Sequence, residues 1–225
     1  QERLRRQMVG DIAHELRTPL GNVRGYLEAV QDGVVPVDDA LIASLHEETM
    51  LLNHLIRDLQ DLSLAEAGQL RMAIGPERAG DLLEAATRAL RPQAEAKAIT
   101  VTISVPDDLP PVAADAERTG QVLRNLLGNA LTHAPAGGTV HLSAVVEDGG
   151  VLMSVADSGP GIDAAHLPHI FDRFYRADAS RDRATGNAGL GLAIAKAYAE
   201  QQNGRVGVES TPNEGATFWL WLPAA

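Results

Sequence analysis

The sequence predicts two architectures in succession: an all-α helical hairpin, then an α/β sandwich with a mixed five-stranded sheet. Three observations carry this. Apolar residues recur at steps of three and four through the first 67 residues. Beyond residue 68, β-branched runs bounded by Gly and Pro alternate with helical stretches. A glycine-punctuated segment, 158–188, fits neither period and is too long for a passive connection. The chain of 225 residues is 45% hydrophobic and 22% charged, a globular balance. A net charge of −11 excludes a broad nucleic-acid-binding surface. The absence of cysteine excludes disulfides, thiol nucleophiles and thiolate metal sites. No apolar run is long enough to span a membrane, so no membrane contact is expected of this stretch. The chain opens at Gln1 inside a charged helical pattern and is read as a piece of a longer protein.

In the first helix the stripe is Ile12, Leu16, Pro19, Val23, Leu27 and Val30, with a bend expected at Pro19. Gly33 and Pro36 interrupt it. A second stripe follows, Leu41, Leu45, Leu52, Leu55, Leu59 and Leu62, with Glu48 where an apolar member is missing. A lone two-helix hairpin buries too little to be stable. Pairing two copies gives a four-helix bundle, so a homodimer is expected; the other reading docks the hairpin on the rest of the chain. Gly68 ends the hairpin, dividing the chain into 1–67 and 68–225.

In the second part, 70–74 reads as a short strand and 77–96 as a helix with an irregularity at Pro92. The β-branched run 99–105 is a strand, and Pro110–Pro111 a turn. Asp115 is placed to cap a helix reaching His133. Strands follow at 139–146 and 151–156, joined by a hairpin turn and stopping at Asp157. A helix over 189–203 and strands at 205–209 and 217–222 complete the domain. The helices should cover one side of the sheet and leave one face to a ligand loop.

Several clusters have chemical potential. Asp157-Ser158-Gly159-Pro160-Gly161 puts a carboxylate at a strand end before a tight turn; it repels phosphate but can accept from a purine amine, or it is a plain turn. Gly186-Asn187-Ala188-Gly189-Leu190-Gly191-Leu192 leads into a helix N-terminus, where backbone N–H groups favour phosphate. Gly215 forms a weaker third cluster. Asn125 and Asn129 share a helix face; their amide oxygens suit a hard cation such as Mg²⁺, or they are two solvated asparagines. His14 is followed by Glu15, which can hold one ring nitrogen and leave the other nucleophilic; alone, a helical histidine is an ordinary surface or core residue. Thr18 lies one turn beyond His14, where it can hold a water or bond back to a carbonyl.

Together these motifs resemble the sensor histidine kinases of two-component systems. His14-Glu15-Leu16-Arg17-Thr18-Pro19-Leu20 is similar to their phosphoacceptor box, and Asn125-Leu126-Leu127-Gly128-Asn129-Ala130 to their asparagine box. Asp157 to Gly161 matches the first glycine box, Phe171-Asp172-Arg173-Phe174-Tyr175-Arg176 the phenylalanine box of the ATP lid, and Gly189-Leu190-Gly191-Leu192 the second glycine box. The resemblance implies a dimerisation and phosphotransfer hairpin followed by a Bergerat-type ATP-binding domain. ATP would phosphorylate His14, and the phosphoryl group would pass to an aspartate of a response regulator. Glu15 would assist the imidazole, and Thr18 would position a water for dephosphorylating the regulator. Asp157, with Gly159 and Gly161 behind it, would read adenine; Asn129 and Asn125 would coordinate Mg²⁺. Gly186, Gly189, Leu190, Gly191 and Leu192 would flank the triphosphate, Phe171 and Phe174 would anchor the lid, and Arg173 or Arg176 would meet phosphate or the hairpin. Thr217, with Gly215 and Phe218, fits a last glycine box that Asn213 and Ala216 otherwise depart from. Thr132 stands where many relatives carry Lys or Arg. The resemblance also implies a cytoplasmic kinase core cut from a membrane-anchored sensor. Two other readings are an ATPase of the same superfamily, against which Asn125 replaces a hydrolytic glutamate, and a non-catalytic dimerisation scaffold.

Overall fold

The structure is a computed structural model that describes residues 2–176 and 189–225; of residues 2–9, 11, 14, 15 and 66 it describes the backbone alone. Two compact units divide the chain, one ending at Asp61 and the other beginning at Leu62.

The first unit is the hairpin. Helix α1 spans Glu2–Gln31, and α2 begins at Asp39 and runs to Glu66. Pro19 lies inside α1 and is buried, its side chain facing inward where the missing N–H costs a turn's hydrogen bond. Asp38 starts α2 by accepting from the Leu41 N–H at 2.8 Å. Leu41 and Leu55 are buried, whereas Leu20, Leu27, Ile42, Met50 and Ile56 remain exposed. Glu48, the polar break in the second stripe, accepts from Asn22 Nδ2 at 2.8 Å and so ties α1 to α2.

The second unit contains β1 (Gly75–Glu77), α3 (Ala79–Ala96), β2 (Thr100–Ser104), β3 (Val112–Ala114), α4 (Ala116–His133), β4 (Thr139–Glu147), β5 (Gly150–Asp157), α5 (Gly191–Gln201), β6 (Arg205–Ser210) and β7 (Ala216–Pro223). Five strands form a mixed sheet in the order β2-β4-β5-β7-β6, with β2 and β4 parallel and the other neighbours antiparallel. Leu83, Leu123, Leu126, Leu131, Leu142, Met153, Ile194, Tyr198, Phe218 and Leu220 form the core between this sheet and α3, α4 and α5. Alternation along β7 buries Phe218, Leu220 and Leu222 and turns Trp219 and Trp221 to the other face. There the Trp221 Nε1–H donates to the Glu147 carbonyl at 2.8 Å, and the Arg205 guanidinium sits 4.5 Å from the ring centre.

The expected strand at 70–74 is corrected by the structure. Leu70 is buried, but the strand lies at Gly75–Glu77 and pairs with Val112–Ala114, which follows the predicted Pro110–Pro111 turn. Strands this short exist only through each other, so neither carries its own periodic signal. Helix α5 begins at Gly191 rather than at residue 189, because Gly189 has φ +69°, outside the helical region.

A buried polar network fastens the domain's start to α4 and α5. The Asp115 carboxylate caps α4 by accepting from the Arg118 N–H at 3.0 Å and also accepts from the Ala73 N–H at 2.8 Å. Gln202 Oε1 accepts from the Asp115 N–H at 2.7 Å and from the Thr119 hydroxyl at 2.9 Å, while its Nε2 donates to the Tyr198 carbonyl. The last turn of α2 belongs to this unit: Leu62 and Ala65 are buried, and Gln201 Nε2 donates to the Ala65 carbonyl at 3.2 Å. Gln202→Leu strands a buried N–H and a hydroxyl, and should lower stability by about 2–3 kcal/mol in urea unfolding. Arg88→Ala, which breaks an exposed pair with Glu84, should change it by no more than about 0.5 kcal/mol.

Candidate functional site

The glycine-rich loops and α4 enclose a cleft of two joined lobes, each about 300 Å³. Asn129, His133, Ile170, Tyr175, Arg176 and Leu192 line both. One face of α4 therefore serves the whole cleft, since residues three and four apart share a helix face.

The inner lobe adds Asp157, Gly161, Ile162, His166 and Phe218. Asp157 ends β5, and its Oδ1 accepts from the Gly159 N–H at 2.7 Å. Burial pushes its carboxyl above the ordinary carboxylate range, against the lowering effects of the Gly159 and Ala216 N–H groups and the nearby His133. Backbone closes tightly around it. Gly215 has φ +85°, and a Cβ there would strike the Asp157 carbonyl; Gly161 has φ +72°, and a Cβ there would strike the Thr211 carbonyl. Ser210 Oγ joins these loops, accepting from the Ile162 N–H at 2.8 Å and donating to the Gly215 carbonyl at 2.7 Å.

The outer lobe adds Arg124, Asn125, Gly128, Thr132, Gly189 and Gly191. Asn125 Nδ2 donates to the Gly191 carbonyl at 2.8 Å, holding the first residue of α5 against α4 and leaving the amide oxygen as its remaining polar atom. Helix α5 has no side-chain cap at its N-terminus. Its first N–H groups and the positive end of its dipole thus face a cleft that suits an anion. Gly189 is positioned by the loop before it: its carbonyl accepts from the Phe174 N–H at 3.0 Å, and Phe174 itself has φ +58°. The Tyr175 hydroxyl and His166 Nδ1 share a 2.7 Å hydrogen bond across the loop.

The residues singled out in the sequence separate as follows. Asn125, Asn129, Asp157, Gly161, Gly189, Gly191 and Leu192 line the cleft. Gly159 and Leu190 are buried behind it. Phe171, Arg173 and Phe174 line neither lobe; burial lowers the pKa of Arg173, and Tyr175 and Arg176 take the cleft-facing positions. The alternation of β7 turns Ala216 and Phe218 inward and Thr217 onto the opposite face of the sheet. The cleft occupies the helix-covered side of the sheet, between α4 and α5. Gly186, Asn187 and Ala188 lie outside the described residues. In the hairpin, the backbones of His14 and Glu15 are helical, their side chains lie outside the described residues, and Thr18 is exposed. Among the described residues no group of three or more His, Asp or Glu could hold a metal ion. Sequence reasoning missed Arg124 and His133, although the helical spacing that united Asn125 with Asn129 also reaches His133. It missed Ile162, Ile170 and Phe218 because only the tertiary fold brings them together.

Comparison with known proteins matches residues 4–68 to the His Kinase A (phospho-acceptor) domain. Residues 114–225 match the histidine kinase-, DNA gyrase B- and HSP90-like ATPase family. The chain is 39% identical over 222 residues to the signal transduction histidine-protein kinase BaeS of Escherichia coli K12, covering 99% of this chain and 47% of that relative. It thus spans less than half the length of that curated protein. Among solved structures, Acinetobacter baumannii histidine kinase AdeS superposes with a TM-score of 0.79 at 28% identity, covering 94% of this chain and 98% of that one. Full-length ShkA in complex with AMPPNP gives a TM-score of 0.72 at 30% identity over 97% of this chain and 46% of its own.

The raised pKa of Asp157 has a thermodynamic sign. The native state holds this proton more tightly than the unfolded chain, whose carboxyl titrates near 3.9. The stabilisation is therefore complete below that value and is lost as pH rises through the native pKa. Asp157→Asn keeps an acceptor for the Gly159 N–H and removes the charge. In urea unfolding at pH 7 it should be at least as stable as the parent, with the difference shrinking as pH falls.

Proposed function

The chain belongs to the sensor histidine kinases of two-component systems, and on that premise we propose that it transfers the γ-phosphoryl group of ATP to His14 and then to an aspartate of a response-regulator receiver domain. The observation that carries this reading is the polarity of the cleft. A half-buried carboxylate acceptor stands at one end, and a glycine-led helix N-terminus with asparagines and arginines at the other. A purine fits the first end, where Asp157 accepts from an exocyclic amine between the apolar walls of Ile162, Ile170 and Phe218. A triphosphate fits the second, and ShkA's complex with AMPPNP supports the same ligand class here.

Asn129 and Asn125 are the oxygen donors assigned to Mg²⁺. When bound, the cation neutralises phosphate charge. The chain's own contribution is positioning and electrostatics, as phosphoryl transfer requires. Gly189 and Gly191 let phosphate oxygens approach the α5 N–H groups. His14 attacks the γ-phosphorus through Nε2 and ADP leaves, while Glu15 holds the proton on Nδ1. The imidazole then yields the phosphoryl group to the regulator's aspartate. Thr18, exposed on α1, holds a water against the phosphorylated regulator and adds phosphatase activity. Against an ATPase reading, the cleft-facing residues of α4 include no carboxylate to act as general base.

We assign 1–67 to the dimerisation and phosphoacceptor domain and 68–225 to the catalytic domain. The exposed Leu20, Leu27, Ile42, Met50 and Ile56 support a homodimer in which two hairpins form a four-helix bundle. No helix among the described residues is long and apolar enough to cross a membrane. The reading places this kinase core on the cytoplasmic side of a membrane-anchored sensor.

Incubation with Mg-ATP should give acid-labile, alkali-stable label that His14→Ala abolishes; label persisting in that variant refutes the nucleophile. Asn129→Ala should raise the Mg²⁺ needed for half-maximal labelling roughly tenfold, the scale of one lost polar contact. Thr18→Ala should retain most labelling yet lose dephosphorylation of the cognate regulator, and regulator turnover at the parental rate would make Thr18 structural.

A further inference from the structure

We propose that Arg124 binds the terminal phosphate of ATP and gives the cleft its preference for nucleoside triphosphate over diphosphate. The inference rests on the ATP-site reading above and deepens it. Arg124 lines the outer lobe and is half-buried, yet it makes no hydrogen bond or ion pair among the described residues. A guanidinium drawn partly out of water with no anion beside it is an incomplete arrangement, and a ligand phosphate completes it with paired N–H donors.

Arg176 lines this lobe too, but it also lines the inner lobe, so it stands nearer the Asp157 end than Arg124 does. No lysine lines the lobe. Lys97, which approaches the end of α4, donates Nζ to the carbonyls of Leu131 and Thr132 at 2.8 and 2.7 Å, so its charge closes the helix C-terminus. Thr132 turns its hydroxyl back to the Gly128 carbonyl at 2.8 Å. Arg124, Gly128 and Thr132 lie at i, i+4 and i+8 on one ridge of α4. Gly128 puts no side chain between the other two, and a Cβ there would meet only Leu90, at 3.9 Å.

Position along α4 selects the terminal phosphate. His133 borders the inner lobe with Asp157, and Arg124 lies nine residues earlier, about 13 Å along the helix axis. The guanidinium extends further from the inner lobe: Nη1 is 3.1 Å from where a Gly120 Cβ would stand, one turn nearer the start of α4. Among the described residues Arg124 is thus the cation of the cleft farthest from a base held at Asp157, past the start of α5 where the inner phosphates would lie.

The test is calorimetric titration of the full chain with AMPPNP and with ADP, both with Mg²⁺. Arg124→Gln should weaken AMPPNP by about 10- to 100-fold, the range of a charge-assisted contact, and leave ADP within about twofold. Arg124→Lys, keeping the charge but losing the planar fork, should fall between Gln and the parent. Unfolding midpoints of both variants should match the parent, because among the described residues the side chain has no protein partner to lose. Parental AMPPNP affinity in Arg124→Gln, or equal losses for AMPPNP and ADP, would overturn the role of Arg124 and leave the ATP site standing. A parent chain that binds neither nucleotide would overturn both.

Discussion

At the end of β5 three stretches of backbone approach too closely for a side chain to stand between them. The Asp157 carbonyl occupies the space of a Gly215 Cβ, the Thr211 carbonyl that of a Gly161 Cβ, and the Asp157 carboxylate that of a Gly159 Cβ. The Asn213 N–H donates to the Pro160 carbonyl at 2.6 Å, and Ser210 bridges the same loops. This junction sets the depth and floor of the inner lobe. It also holds Asp157 where its charge is disfavoured, so the carboxylate is kept by the fold rather than by its own solvation. The domain thereby tolerates a locally unfavourable group whose benefit appears only when a hydrogen-bond donor enters.

Helix α4 converts that junction into a cleft with two ends. Its buried face, Leu123, Leu126, Leu127 and Leu131, anchors it on the sheet, and its opposite face spaces Arg124, Asn125, Asn129 and His133 along the opening. The Asn125 bond to Gly191 keeps α5 at a fixed distance from that ruler. A chain of net charge −11 thus concentrates cationic and N–H character in one small region without an overall positive surface.

The features most legible in the sequence are those set by local chemistry. Asp115 announces the start of α4 because an N-cap needs only its own side chain and the next turn. The β-branched run around Ile103 announces β2, and the Asn125–Asn129 spacing announces a shared face. Less legible are features whose cause lies elsewhere in the chain. Strands β1 and β3 depend on pairing across the intervening α3 and β2. Thr217 is one position from the inward-facing Ala216 and Phe218, and a motif alone does not give the parity of a strand. Nothing in the local sequence marks Lys97 as a helix terminator, and only the fold reveals that it closes the end of α4. Arg124 carries no motif at all; its interest comes from what surrounds it.

The placement of the tryptophans has an optical consequence. Both of the chain's tryptophans stand on β7, on the back of the strand whose other face supplies Phe218 to the cleft. The ring of Trp221 is held at its edge by a carbonyl and over its face by a guanidinium, and Trp219 lies over Gly207. Intrinsic tryptophan emission therefore originates wholly in the second unit. A fluorescence melt reports the loss of this sheet and is silent on the hairpin, whose helix content needs circular dichroism to follow. Where the two signals part on heating, they measure the units' separate cooperativity in a single unlabelled sample.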